Sequence, residues 1–161
     1  MSKIKLLILL LISINLTNCT NNNIYQGNKY SVGYIGSSME GLLLKNKLES
    51  NLRAFNLYSQ QTNFLIEGNI DNSFSIYVPT TNKTSQRENV TTGINLKIFN
   101  KNLSCYVYSF EDTTSQFYIY ASSTYFLSNK EAQKDIINDN INNLIIDFIN
   151  SLPSNLDNCA E

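Results

Sequence analysis

Gly93-Ile94-Asn95-Leu96-Lys97-Ile98-Phe99-Asn100-Lys101-Asn102-Leu103-Ser104-Cys105-Tyr106-Val107-Tyr108-Ser109-Phe110 is the stretch that decides the fold. Ile94, Leu96 and Ile98 alternate with polar neighbours, the period-two pattern of a strand with one face buried. Asn100-Lys101-Asn102 interrupts the pattern with turn-forming residues. Leu103, Cys105 and Val107 resume it, with Tyr106, Tyr108 and Phe110 on the other face. Two alternating runs across a short polar turn predict an antiparallel hairpin.

Upstream, Phe64, Ile66, Gly68 and Ile70 alternate in the same way, and Phe74, Ile76 and Val78 keep the phase. They predict a long strand, bulged near Asp71-Asn72 and stopped by Pro79. Thr80 to Asn89, which holds Lys83, Arg87 and Glu88, reads as a polar loop. Tyr30 to Ile35 predicts a short strand with Val32 and Tyr34 on one face. Ser37-Ser38-Met39-Glu40 is a capping box. The helix after it reaches about Ala54, with Leu44, Leu48, Leu52 and Phe55 on one face and Gly41 weakening it modestly.

Downstream, Glu111 to Gln116 reads as a loop, and the aromatic run Phe117 to Phe126 as a short strand or an ordered connection. Ser128-Asn129-Lys130-Glu131 is a second capping box. It leads into the clearest helix, whose stripe is Ile137, Ile141, Leu144, Ile145, Phe148 and Leu152, ended by Pro153. Strand, helix, three strands, helix predicts a single α+β domain: a mixed or antiparallel sheet of about four strands with two helices packed on one face.

The first nineteen residues set the compartment. Lys3 and Lys5 precede the apolar run Leu6 to Ile12, which extends to Ile14, and Leu16-Thr17-Asn18-Cys19 follows. This is a secretory signal, and its run falls short of the roughly 18–20 apolar residues that span a bilayer. A Cys at the cleavage boundary matches a bacterial lipobox, in which the thiol is acylated and the Cys becomes the mature N-terminus. Asn18 stands where that pattern has Gly, Ala or Ser, so an ordinary secretory signal with a coincidental Cys is the other reading. Residues 1–18 are thus read as a lipoprotein signal peptide, 19–29 as a polar tether, 30–152 as the domain and 153–161 as a flexible tail.

Removing Lys3 and Lys5 from the 12 basic residues leaves 10 against 13 acidic ones, a net charge of −3. No basic stripe marks a nucleic-acid binder. The chain has no His and no Trp. General acid–base chemistry would fall to Asp, Glu, Lys, Tyr or Cys. Glu111-Asp112 is an acidic pair, but no nucleophile motif, zinc-ligand spacing or Gly-rich phosphate loop accompanies it. Neither an enzyme nor a cofactor is expected. Asn is over-represented at about 25 residues, well above average usage, which reads as base bias. The Asn82-Lys83-Thr84 and Asn89-Val90-Thr91 triplets that result are chance matches in a bacterial protein, and glycan acceptors only in a eukaryotic secreted one. With Cys19 acylated, Cys105 and Cys159 remain, either as a disulfide or as two free thiols.

A lipobox followed by this element order resembles the lipopolysaccharide-assembly lipoprotein LptE family. Two stretches carry the resemblance: Arg87-Glu88-Asn89-Val90-Thr91-Thr92-Gly93-Ile94-Asn95-Leu96-Lys97-Ile98, and Tyr125-Phe126-Leu127-Ser128-Asn129-Lys130-Glu131-Ala132. The chain departs from the family just after Cys19, where Thr20-Asn21-Asn22-Asn23 stand in place of a Gly and an aromatic. The resemblance implies anchoring in the outer membrane on its periplasmic side. It also implies seating as a plug inside an LptD-type β-barrel, with lipopolysaccharide as cargo and no covalent chemistry.

On that reading Arg87, helped by Lys83, is the candidate to clasp a lipid A phosphate, with Lys130 the nearest match to a basic residue near the last helix. The plain alternative for Arg87 is a solvated cation, or one paired with a carboxylate. Tyr106, Tyr108, Tyr118 and Tyr120 face a barrel wall or are half-buried sheet aromatics. A free-standing envelope lipoprotein, an adhesin or scaffold, is the competing function.

Overall fold

The Ile94–Phe110 stretch folds as a hairpin inside two much longer strands. The computed structural model describes residues 27–36, 39–77, 86–120 and 126–160. The expected signal peptide, Cys19, most of the tether, the Ser37 cap, Pro79 and Lys83 lie outside them. The elements are β1 (Tyr30–Gly36), α1 (Met39–Ala54), β2 (Phe64–Tyr77), β3 (Gln86–Asn100), β4 (Cys105–Tyr120) and α2 (Phe126–Ser151). They form one mixed sheet in the order β1-β2-β3-β4. β1 runs parallel to β2, and the other pairs are antiparallel. The sheet and the two helices on one face match the expected class.

At the hairpin turn, the buried Asn100 side chain accepts the backbone N–H groups of Asn102 at 2.9 Å and Leu103 at 3.4 Å. Ser104 closes the turn in the left-handed region with φ of 55°. Leu103 sits in the turn and is exposed rather than opening the strand. Two expected loops are strand. Glu111 to Gln116 pairs with β3 from Asn95 to Val90. Arg87 to Asn89 pairs with both β2 and β4. These segments are polar on both faces, so alternation gave no signal. As centre strand, β3 holds them through ladders on both sides.

No bulge interrupts β2. Its register with β3 is unbroken from Phe64↔Asn100 to Tyr77↔Arg87. The irregularities fall elsewhere, and each turns side chains to the opposite face. One lies between Val32 and Ile35, so Tyr34 is 76% exposed and Ile35 takes the buried place expected of it. The other places Val107 as an extra residue, with Ile98 opposite Tyr108 and Phe99 opposite Tyr106. Tyr108 and Phe110 are thereby turned to the helix side, where both rings meet Phe148. Tyr106 stays on the open face.

α1 buries Leu44, Leu48 and Leu52 completely. Phe55 falls beyond its end, where Asn56 adopts φ of 57°, and lies exposed; Leu57 is buried in its stead. α2 begins at Phe126, so Ser128 is inside the helix and is not its cap. Its Ile141, Leu144, Ile145, Phe148 and Ile149 close the core over Ile66, Ile70, Ile94, Leu96 and Ile98.

Gly41 carries more than a propensity cost. A Cβ there would sit 2.5 Å from the Gly36 carbonyl oxygen and 2.8 Å from that of Ile35, because α1 starts hard against the end of β1. At an exposed helical site Gly→Ala gains up to about 1 kcal/mol. Here the sign should reverse: Gly41→Ala is expected to lose about 1–3 kcal/mol through overpacking, read as a lower urea midpoint.

Burial pushes the Tyr30 phenol from 10.0 up to about 12. The unfolded phenol ionises first. The stability held by the neutral buried form is therefore complete below pH 10 and is lost as pH rises towards 12. Tyr30→Phe should flatten that part of an alkaline unfolding curve, and an unchanged slope would show that Tyr30 is not its source.

Residues 153–160, expected as a loose tail, are fastened at three points. Leu156 is buried, Cys159 is disulfide-bonded to Cys105 across a Cα separation of 5.8 Å, and the Ala160 N–H donates to the Tyr106 carbonyl at 2.7 Å. Of the two readings left open for these cysteines, the structure has the bridge.

Candidate functional site

The strand pleat sorts β2, β3 and β4 into two faces. Even-numbered residues of β2 and β3 point to the helices. Odd-numbered residues form a helix-free face across three strands. This open face has three zones.

Its far end is apolar around a cation. Arg87 is opposite Tyr77 on β2 and Ile119 on β4. Its guanidinium carbon lies 4.9 Å from the centroid of the Phe117 ring, a stacked cation–π contact. Arg87 is exposed, as are Tyr77, Phe117 and Ile119. On the reverse side of the same strand ends, Phe74 and Ile76 are exposed as well. Beyond Asn69, β2 has no β1 partner and forms the edge of the sheet, so this end is a three-stranded blade.

The middle of the face is a hydrogen-bonded polar ladder. Thr91 and Ser115 share a bond of 2.7 Å, and the Asn89 amide donates to the Thr91 hydroxyl at 3.3 Å. The near end is a shallow cavity of about 250 Å³ lined by Glu67, Gly68, Asn69, Asn95, Lys97 and Tyr106. Asn69 donates to Asp71 at 3.2 Å and Asn95 to Glu111 at 3.4 Å. The Tyr106 hydroxyl reaches across β3 to donate to Glu67 at 3.3 Å. The Glu67 carboxylate holds that phenol above its ordinary pKa, so it stays a donor. The Phe99 and Tyr106 rings pack at 72° to each other, with centroids 5.4 Å apart.

On the helix side, opposite the blade, lies a buried polar seam. Glu88 is almost fully buried and accepts from the Tyr118 hydroxyl and from the Gln133 amide, the latter at 3.0 Å. Asn140 on α2 donates to the Val90 carbonyl at 3.3 Å and to the Thr92 hydroxyl at 3.2 Å. Thr92 donates in turn to Asn72 at 2.7 Å. Asn140 Oδ1 is buried and has no hydrogen-bond partner among the described residues.

Of the three cationic candidates Lys83 lies outside the described residues, and the other two are apart. Arg87 stands on the open face, in a strand rather than in a loop. Lys130 rides on α2, with the sheet between them, and it has contacts of its own. The tyrosine group also divides. Tyr106 is on the open face. Tyr108 donates to Ser151 Oγ at 2.9 Å beside the core, and Tyr118 binds Glu88. Glu67, Asn69, Asn95 and Lys97 were missed as site residues. They are the polar phase of the alternation that identifies β2 and β3, and nothing in the sequence of that phase separates a site from a solvated face.

No family model matches the chain, and no curated protein matches it. Solved structures share its fold. A minor lipoprotein from Acinetobacter baumannii superposes with a TM-score of 0.57 at 12% identity, over 80% of this chain and 98% of that one. The rare lipoprotein B from Shewanella oneidensis does so with a TM-score of 0.53 at 14% identity, over 77% of this chain and 95% of that one. A Helicobacter pylori protein described as a homologue of neuraminyllactose-binding hemagglutinin gives 0.53 at 12% identity, over 78% of this chain and 82% of that one. At such identities the likeness is one of fold.

Proposed function

We propose that this chain is an outer-membrane lipoprotein of LptE type, anchored through Cys19, which plugs an LptD-type β-barrel and assists lipopolysaccharide assembly. The observation that carries the reading is the far end of the sheet. Lipopolysaccharide presents phosphates beside acyl chains. Arg87 offers a guanidinium for the first, bordered by exposed Tyr77, Phe117 and Ile119 for the second. The polar ladder behind the blade suits the hydrogen-bonding lumen of a large barrel. The fold shared with rare lipoprotein B, a name also given to LptE, supports the same reading. An acylated Cys19 with two or more chains would hold the protein firmly, at about 0.8 kcal/mol per buried CH₂.

The test is a mild-detergent pull-down of the tagged protein from its native host, followed by mass spectrometry. A stoichiometric outer-membrane β-barrel is expected. Recovery of the lipidated protein alone would favour a free-standing envelope lipoprotein instead. Arg87→Ala should then weaken binding of purified lipopolysaccharide roughly tenfold, the loss of one charge-assisted contact of about 1.5 kcal/mol.

A further inference from the structure

The near-end cavity differs from the blade in chemistry. Glu67 lines it, and the carboxylates of Asp71 and Glu111 stand directly behind Asn69 and Asn95, against the single ammonium of Lys97. A phosphate or carboxylate ligand would meet net repulsion there. Hydroxyl groups would not, because each can donate to a carboxylate and accept from an amide or ammonium. Asn69 and Asn95 supply amides that both donate and accept. Each is steadied by one carboxylate, Asp71 or Glu111, so each is oriented before any ligand arrives.

The cavity also has an apolar wall. Tyr106 is 43% exposed, yet its ring is fixed at both ends. Its hydroxyl is tied to Glu67, and the Phe99 ring packs near-perpendicular to it. Lys97 Nζ lies 5.7 Å from the ring centroid. Beyond Asn69 and Asn95 the next cross-strand row is Asp71, Gly93 and Thr113, and Gly93 puts no side chain into its centre. The hollow is smaller than the roughly 300–1,000 Å³ that drug-sized ligands occupy, and suits a single ring.

We propose that the open-face cavity between Tyr106 and the Asn69–Asn95 pair is a binding site for a neutral saccharide, one pyranose ring lying against Tyr106 with its hydroxyls on Asn69, Asn95, Glu67 and Lys97. The C–H face of a sugar matches an aromatic wall, and its alternating donors and acceptors match an amide–carboxylate floor. The site does not depend on the barrel or on Arg87.

The test uses the full chain in mild detergent with lactose, maltotriose and N,N′-diacetylchitobiose as neutral probes. 3′-Sialyllactose is the anionic comparison, and calorimetry and saturation-transfer NMR supply the readouts. At least one neutral probe should bind in the millimolar range, near 4 kcal/mol of affinity. Asn95→Ala and Tyr106→Ala should each weaken it tenfold or more, while Arg87→Ala leaves it unchanged. Asn95→Ala removes one half-buried side chain from the face, and an unaltered melting curve certifies its fold if Tyr106→Ala proves unstable. Failure of every neutral probe to bind at about 10 mM overturns the proposal. So does binding indifferent to Asn95→Ala, or 3′-sialyllactose binding as tightly as lactose. Loss of the barrel in the pull-down with sugar binding intact would separate the two readings.

Discussion

Replacing both bridged cysteines, Cys105→Ala with Cys159→Ala, should lower the melting temperature by roughly 10 °C. The bridge closes a sequence separation of 54 residues. Chain-entropy reasoning for such a loop gives about 4 kcal/mol of stabilisation. In the folded protein the bridge also seats Leu156 in the core and keeps the Ala160 N–H on the Tyr106 carbonyl. Cys159→Ala alone should therefore cost nearly as much as the double change. Dithiothreitol should shift the wild-type melting curve and leave that of the double variant in place. Coincident curves for wild type and variant, with and without reductant, would mean that the bridge contributes nothing.

Phe148→Ala is expected to cost about 3–5 kcal/mol, the range for deleting a fully buried aromatic ring. Phe148 is wholly buried on α2, with ring centroids 6.4 Å from Tyr108 and 5.5 Å from Phe110. Its removal leaves a void where the last helix packs on Tyr108 and Phe110 of β4. Urea unfolding should show a much lower midpoint at similar slope. Phe148→Leu, which keeps most of the volume, should lose less than half as much. Equal losses from the two variants would show that the ring's aromatic contacts matter more than the space it fills.

What the sequence reveals follows where one face is apolar. Ile66, Ile70, Ile94, Leu96 and Ile98 declare their strands because every second residue leaves water. Leu44, Leu48, Leu52 and the Ile141–Phe148 stripe declare the helices in the same way. The far half of β3 buries Glu88 and Thr92 around the single apolar Val90, and its β4 partners are mostly polar, so hydrophobic periodicity fades there although the backbone ladder continues. That is why Arg87 reads as a loop residue and stands in a strand. The extra residue at Val107 is equally silent, since a bulge changes phase without changing composition, and it alone moves Tyr108 and Phe110 from the open face to the core. Tyr106 was legible as an exposed aromatic. Its partners Glu67 and Asn95 were not, because they come from two other strands and only the register brings them beside it.

Helix α2 rests on two kinds of ground. From Ile141 to Ile149 it lies on apolar side chains, and from Asn129 to Asn140 it is held by amides and one buried carboxylate, with Ile137, among the described residues, the only one there packed against the core cluster. The cost of lifting each part differs accordingly. Amide hydrogens of the last turns should exchange with solvent only when the whole domain unfolds. Those of the first turns should exchange through brief local opening, at a free energy below the global value. On that expectation the helix acts as a lever with one fixed end, and its releasable end is the one that lies over the blade.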